Sequence, residues 1–255
     1  MSGKLWIVGL GPGDAAMQTP QATEALAQAT DLVGYFPYVD RVAQAPGQVR
    51  HASDNREELD RARLALTLAS QGRAVAVVSS GDAGVFAMAS AVFEAIDQGD
   101  PAWRELDVEV VAGISAMFAA AARIGAFLGH DFCAISLSDN LKPWKLVLRR
   151  LRAAAETGLV MALYNPLSRA RPWQLSEAFG VLRESLPPHT PVVFATAVSR
   201  PEEQIHVFDL AAADPARADM RTLVMVGTAA TRRIERPGRS PWVYTPRFAE
   251  DAASS

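Results

Sequence analysis

The sequence predicts an α/β protein with two domains. Short apolar runs alternate with amphipathic stretches along most of the chain, which favours an N-terminal sheet rich in parallel pairs. Near residue 200 this alternation stops, and two apolar runs are joined only by "SRPEEQ". That connection is too short for a crossover helix, so it indicates an antiparallel hairpin within a mixed C-terminal sheet.

Each element follows from its local pattern. The predicted strands are the apolar runs near 4–9, 74–79, 108–111, 132–137, 158–163, 191–197, 203–208 and 222–227. The predicted helices are the amphipathic stretches 20–29, 57–70, 85–97, 116–124, 143–155 and 173–185. Thr19 before Pro20 is typical of a helix start. We expect domains over 1–125 and 126–243, followed by a flexible tail over 244–255.

Composition limits the partners. The chain has 255 residues, 49% of them hydrophobic, and a net charge of −3, which disfavours nucleic acid as a partner. The single cysteine, Cys133, excludes an internal disulfide and is expected to be a small buried apolar residue. The four histidines are scattered, so no metal site is expected. We see neither a secretory signal nor a membrane span of roughly 18 apolar residues, and expect a cytoplasmic protein.

The first predicted strand runs into the glycine-rich loop "GLGPGD", residues 9–14. Gly9 and Gly11 fit a dinucleotide-binding fingerprint, but its third glycine position holds Asp14, whose carboxylate would repel a pyrophosphate. A P-loop would need Gly-Lys-Ser/Thr, which does not follow, and the next helix begins too late to hold a phosphate. The loop therefore suits a close backbone approach to an uncharged or positive group.

Two further turns stand at similar places. "SGDAG" (80–84) and "GIS" (113–115) each follow a predicted strand and precede a predicted helix. Loops at the carboxyl ends of neighbouring parallel strands meet at one edge of a sheet, so these turns are expected to converge. The alternative is that Asp82 and Ser115 are simply helix N-caps.

These motifs resemble those of the tetrapyrrole methylases, the two-domain S-adenosylmethionine-dependent methyltransferases of cobalamin and sirohaem synthesis. The resemblance rests on "VGLGPGD", "SSGDAGVFAMA", "GISAMFAAAARIG" and "YNP", and it spans roughly residues 4–243. It implies the family's fold (class III among these methyltransferases), with the cofactor in a cleft between an N-terminal parallel-rich domain and a C-terminal mixed one. "LVGYFPYVD", "GHDFCAISLSDNLKPW" and "LYNPLSRAR" resemble most the branch that methylates carbon 17 of precorrin-3B while contracting the ring to precorrin-4.

The resemblance also implies which residues bind S-adenosylmethionine and leave S-adenosylhomocysteine as product. In this sequence they are Pro12, Gly81, Asp82, Ala83, Val85, Phe86, Ser115, Ala116, Tyr164, Asn165, Ala197, Val198, Val226 and Gly227. Ala83 departs from the family's proline. Asp82 is expected to hold its turn by accepting hydrogen bonds from backbone amides.

Ring contraction moves protons, so a general acid or base is expected. The catalytic candidates are Tyr35, Ser115, Asn140 and Lys142, with Asp139 and His130 as further possibilities. Relatives that act at other carbons carry an aspartate in a "YDRL" stretch, where this chain has Tyr35. Tyr35 and Tyr38 are alternatively aromatic walls for the macrocycle, and His130 is alternatively structural.

The substrate's acetate and propionate groups require cations. The candidates lie in two arginine-rich stretches, 149–152 and 232–239. Alternatively, these stretches are solvated surface. Their arginines are Arg149, Arg150, Arg152, Arg232, Arg233, Arg236 and Arg239. The resemblance implies a homodimer. The rival functions are a methylase for another carbon or for the cobalt-bearing substrate, an RNA methyltransferase, and a carrier that binds the macrocycle without using the cofactor.

Overall fold

A computed structural model describes residues 3–54, 57–168 and 171–248. The chain divides into two compact units, Met1–Ser115 and Ala116–Ser255. The α/β class expected from the sequence is confirmed, with one parallel sheet and one mixed sheet.

The first unit is a five-stranded sheet in the order β3-β2-β4-β1-β5, in which every pair of neighbours is parallel. The central strands β1 and β4 are buried along nearly their whole length, as expected for a parallel sheet covered on both faces. The elements are β1 (Lys4–Gly9), α1 (Pro20–Gln28), β2 (Asp31–Tyr35), α2 (Phe36–Val39), β3 (Val49–Ser53), α3 (Glu58–Ser70), β4 (Ala74–Ser79), α4 (Met88–Gln98) and β5 (Asp107–Val111). Because the strands are parallel, their carboxyl ends all lie at one edge.

The opposite edge is held by a buried carboxylate. Asp31, at the start of β2, contacts His51 Nε2 at 2.8 Å and accepts hydrogen bonds from Thr30 Oγ1 at 2.8 Å and Arg73 Nε at 2.5 Å. Burial alone would raise the pKa of Asp31, but the hydrogen bonds from these three side chains outweigh it and hold the pKa below its ordinary value. This ionic cluster ties β2 to β3 and to the loop before β4.

The second unit contains a mixed sheet in the order β10-β9-β11-β8-β7 and a small sheet in the order β12-β13-β6. In the mixed sheet β7 and β8 are parallel and the other pairs are antiparallel. The elements are α5 (Ala116–Ile124), β6 (Gly125–Ala126), β7 (Phe132–Ser136), α6 (Trp144–Glu156), β8 (Val160–Tyr164), α7 (Gln174–Ser185), β9 (Pro191–Thr196), β10 (Gln204–Asp209), β11 (Thr222–Val226), β12 (Arg232–Arg236) and β13 (Arg239–Tyr244).

The eight predicted strands and six predicted helices are present, and the β9–β10 hairpin is confirmed. The sequence patterns missed five strands, β2, β3, β6, β12 and β13, and the short helix α2. Strand β2 is short and contains Gly34, and the edge strand β3 is largely polar. Helix α4 begins at Met88 rather than at 85, because Phe86 has a φ of 52° that no helix accommodates.

The structural boundary lies at 115/116 instead of the expected 125/126. Helix α5 packs against β11 and β13, so it belongs to the second unit. Of the expected tail, residues 249–255 lie outside the described residues. Among the described helices, none has the length and hydropathy to cross a membrane.

Candidate active site

Three loops interlock at the carboxyl edge of the first-unit sheet, because β4, β1 and β5 are neighbours. The loops after β1 and β4 pair through Gly11 and Gly81, whose amides and carbonyls exchange hydrogen bonds of 3.0 and 2.9 Å. Both glycines have a φ of 69°, which a side chain would strain. The convergence expected from the three turns is observed.

Asp82 ties the third loop to the other two. Its Oδ1 accepts a hydrogen bond from the Gly84 amide at 2.8 Å, and its Oδ2 accepts one from the Gly113 amide at 3.0 Å. The carboxylate therefore stabilises its own turn, as expected from the sequence, and it also stabilises the loop after β5. It does not cap α4, whose N-cap is Ala87.

Glycine is required where these loops touch. A Cβ on Gly113 would stand 2.2 Å from the Gly81 carbonyl oxygen, and a Cβ on Gly9 would stand 2.7 Å from the same atom. In both cases the obstacle is a backbone carbonyl in the centre of the interlocked loops, so an added Cβ is accommodated only if the loop after β4 shifts. Gly9, Gly11 and Gly113 thus serve backbone packing between loops.

The other predicted residues of the first unit line the same edge. Pro12, Ala83 and Ser115 are buried, whereas Phe86 is 51% exposed and has a φ of 52°. Tyr35 ends β2 at this edge and meets Tyr38 edge-to-face, with ring centroids 5.3 Å apart.

Sequence patterns missed Arg41, which follows α2. Its Nη1 donates to Ser80 Oγ at 3.0 Å, and its Nη2 donates to the carbonyls of Leu10 and Gly11 at 3.2 and 3.0 Å. One guanidinium thereby joins the loops after β1 and β4. No spacing in "YVDRVA" marks this arginine, because its partners, two backbone carbonyls and the Ser80 hydroxyl, are distant in sequence.

In the second unit, predicted residues gather where β7, β8 and β9 end. The hydroxyl of Tyr164 accepts a hydrogen bond from the Met117 amide at 3.2 Å, in the first turn of α5. Asn165 Nδ2 donates to Ser136 Oγ at 3.0 Å, which joins the ends of β8 and β7. Asn165 and Ala197 have φ values of 52° and 51°, and backbone strain of this kind is typical of functional sites. Ala116 and Val198 adjoin this group in the chain.

Val226 and Gly227 lie elsewhere. Strand β11 is antiparallel to β8, and Val226 pairs with Met161, so these two residues stand at the edge opposite Tyr164. Gly227 approaches Thr231, whose Oγ1 would be 2.6 Å from a Cβ at that position. Close packing against Thr231 explains the glycine at 227. Within the second unit, Val226 and Gly227 do not lie near Tyr164.

Of the catalytic candidates in the second unit, three lie in the loop after β7. Lys142 is half-buried, and burial, followed by the nearby charge of Arg150, holds its pKa below the ordinary value of 10.5. Asn140 is exposed, and Asp139 Oδ1 accepts a hydrogen bond from Gln174 Nε2 at 3.2 Å. His130 precedes β7 and so lies at the other edge, where its Nδ1 accepts from the Asp131 amide at 2.8 Å.

The arginine-rich stretches serve the surface and the fold. Arg149, Arg150 and Arg152 are exposed on α6. In the β12–β13 hairpin, Arg236 bonds the Ser240 carbonyl and stacks on Trp242, and Arg233 Nη2 lies 3.2 Å from Asp209 Oδ1. Cys133 is half-buried rather than fully buried, and burial raises the pKa of its thiol. Among the described residues, no His, Cys, Asp and Glu cluster could hold a metal ion.

Comparison with known proteins decides the family. The model of the family "Tetrapyrrole (Corrin/Porphyrin) Methylases" matches residues 4–214. The chain belongs to the tetrapyrrole methylase family. It is therefore an enzyme of a methyltransferase class, and the resemblance drawn from the sequence motifs is confirmed.

Individual relatives agree with this assignment. A Sinorhizobium protein named precorrin-3B C(17)-methyltransferase is 58% identical over 99% of this chain and 100% of its own length. A Salmonella typhimurium protein named probable cobalt-factor III C(17)-methyltransferase is 40% identical over 89% of this chain and 93% of its own length. The crystal structure of the methyltransferase CobJ superposes with a TM-score of 0.92, at 53% identity over 96% of this chain and all of that one.

The interlocked loops generate a prediction about Gly113. Replacement by alanine (Gly113→Ala) forces the Gly81 carbonyl away, which displaces the loop after β4. We expect binding of S-adenosylhomocysteine, measured by calorimetry, to weaken roughly 10- to 100-fold.

The matched control is Gly180→Ala. Gly180 lies within α7, and a Cβ there would have no neighbour within 4 Å. We expect unchanged binding and a free energy of unfolding raised by about 0.5–1 kcal/mol. Equal affinity of the Gly113→Ala variant and the unmodified protein would contradict the packing argument.

Proposed function

We propose that this protein transfers a methyl group from S-adenosylmethionine to carbon 17 of precorrin-3B and contracts the ring to precorrin-4, a step of cobalamin biosynthesis. The observation that carries the proposal is the 58% identity, over the whole of both chains, to a protein named for this reaction. The TM-score of 0.92 with CobJ supports it at the level of the backbone.

The runner-up is the same reaction on the cobalt-bearing substrate. A relative named for cobalt-factor III is 40% identical, against 58% for the one named for precorrin-3B, and this difference favours the metal-free substrate. An RNA methyltransferase is disfavoured by the net charge of −3.

The first-unit edge fits the cofactor chemically. S-adenosylmethionine supplies a methyl group on a sulfonium cation, together with a carboxylate and an adenine, and carries no phosphate. The interlocked loops present backbone groups, small residues and the exposed ring of Phe86. The one carboxylate among the loops after β4 and β5, Asp82, is already bonded to two amides. This surface lacks the glycine-lysine combination of a phosphate cradle.

We assign the cofactor to Pro12, Gly81, Asp82, Ala83, Val85, Phe86 and Ser115 in the first unit. The same proposal covers Ala116, Tyr164, Asn165, Ala197 and Val198 in the second unit. Their support is the backbone strain at Phe86, Asn165 and Ala197, which the surrounding contacts maintain. For Val226 and Gly227 the packing described above supplies a sufficient role, so we leave them out.

Methyl transfer is an in-line displacement, so the chain's main contribution is orientation. The rigid loops hold the donor, and Tyr35 and Tyr38 give aromatic surface for a flat macrocycle. For ring contraction we propose Lys142 as proton donor, because its burial favours loss of the proton. Tyr35, Asn140 and Ser115 remain candidates for hydrogen bonds to substrate oxygens.

We further propose a homodimer that acts in the cytoplasm. The second unit exposes two neighbouring phenylalanines, Phe118 and Phe132, with ring centroids 6.1 Å apart. The β12–β13 hairpin exposes Ile234, Trp242 and Tyr244, of which Ile234 and Trp242 pair across the strands. Exposed apolar groups of this size are typical of protein interfaces. The single cysteine suits a reducing compartment.

Turnover with precorrin-3B and methyl-labelled S-adenosylmethionine tests the main proposal. We expect one labelled methyl group per macrocycle and a contracted ring, both visible by mass spectrometry and NMR. Cobalt-bearing substrate is the parallel assay. Preference for that substrate would support the runner-up, and a methylated ring of unchanged size would contradict the contraction step.

The depressed pKa of Lys142 predicts a pH dependence. A lysine donates a proton only while charged, so ring contraction should fall with rising pH at a value below 10.5. The Lys142→Arg variant stays protonated and is too weak an acid to donate efficiently, so ring contraction should slow and the alkaline limb should vanish from the pH–rate profile. Lys145→Arg, on the exposed face of α6, is the control and should keep the native profile. A native profile in Lys142→Arg would exclude Lys142 as the donor.

The dimer proposal predicts that Trp242→Glu shifts the protein to a monomer in sedimentation velocity, because a charge would be buried in the interface. Phe93→Glu is the matched control: Phe93 in the first unit is 48% exposed, and Trp242 is 49% exposed. A monomeric unmodified protein would contradict the proposal.

A further inference from the structure

Arg171 lies in the connection between β8 and α7, downstream of Tyr164. Its backbone is fixed by a pair of 3.0 Å hydrogen bonds with Ser168, one in each direction. Its side chain is only 18% exposed.

The guanidinium of Arg171 is incompletely paired. Its Nη1 is buried and has no hydrogen-bond partner among the residues that the structure describes. The Asp139 Oδ1 atom stands 3.7 Å away, too far for a hydrogen bond, and is engaged by Gln174 Nε2 at 3.2 Å. A buried donor left unpaired is costly, so this arrangement favours an incoming acceptor.

The surroundings favour an anion with an apolar body. Lys142 adds positive charge near Asp139, and Arg150 lies near Lys142 in turn. Glu177, in the first turn of α7, already accepts a 2.6 Å hydrogen bond from Trp144 Nε1. Trp144 meets Trp173 edge-to-face, with ring centroids 5.1 Å apart. Trp173 follows Arg171 by two residues and is 40% exposed.

We propose that Arg171 binds a side-chain carboxylate of the tetrapyrrole, an inference that rests on the proposed function. The planar fork of an arginine matches a carboxylate with two parallel hydrogen bonds. The position of Arg171 is consistent with this role. Its connection follows β8, and the parallel strands β7 and β8 end together at Ser136 and Tyr164. This proposal assigns the contact to Arg171 and not to the arginine-rich stretches 149–152 and 232–239.

The test separates binding from folding. We expect Arg171→Gln to raise KM for precorrin-3B roughly 10- to 100-fold, the factor that a lost charge-assisted hydrogen bond represents. KM for S-adenosylmethionine and the melting temperature should stay unchanged. Arg171→Lys keeps the charge without the fork and should show an intermediate KM. Arg63→Gln, a first-unit arginine paired with Asp60 at 3.2 Å, is the control and should behave as the unmodified protein.

Direct binding distinguishes failure of this inference from failure of the proposed function. Fluorescence titration is performed with precorrin-3B, its cobalt analogue and uroporphyrin III, all of which carry acetate and propionate groups. Weaker binding by Arg171→Gln of any probe that the unmodified protein binds supports the inference, even where turnover is absent. Equal affinity in the two proteins overturns the inference alone, and no binding of any probe by the unmodified protein overturns both.

Discussion

The first unit depends on one constraint, the direct contact of backbone with backbone among the loops after β1, β4 and β5. Gly9, Gly81 and Gly113 meet so closely that no side chain fits at Gly9 or Gly113. The Asp82 carboxylate then bonds the Gly84 and Gly113 amides, and Arg41 bonds two carbonyls on the neighbouring loop. Rigid backbone at the carboxyl edge of a parallel sheet is a general way to position a ligand, because the strands limit how far the loops can move.

In the second unit, side chains rather than backbone contacts hold the strand ends together. Tyr164 reaches the first turn of α5, and Asn165 joins the ends of β7 and β8. Here non-glycine residues adopt left-handed backbone conformations, which cost of order 1–3 kcal/mol each and persist at Asn165 and Ala197 because the surrounding strands hold them. Backbone strain of this kind clusters at functional sites, which is why these two positions carry weight in the proposed site.

The arginines that cluster in the sequence are not the ones that the structure holds in fixed positions near the strand ends. The dense arginine stretches lie on an exposed helix face and on a hairpin, where they bond backbone, aromatic rings or acids. Two isolated arginines are held in place instead: Arg41 joins two loops, and Arg171 stands half-buried in the connection between β8 and α7. A flexible surface arginine loses conformational freedom on binding, whereas a partly buried one is already oriented.

The sequence alone determined the family, the α/β class and most strands and helices, because these follow from local periodicity and from motifs contiguous in the chain. The role of Asp82 was also predictable, since its first partner is two residues away. Tertiary structure decided the rest. Antiparallel pairing sends Val226 and Gly227 away from Tyr164, and His130 precedes its strand instead of following it. Arg41 and Arg171 owe their importance to burial and to contacts across the fold. Neither property can be predicted from the residues next to them in the sequence.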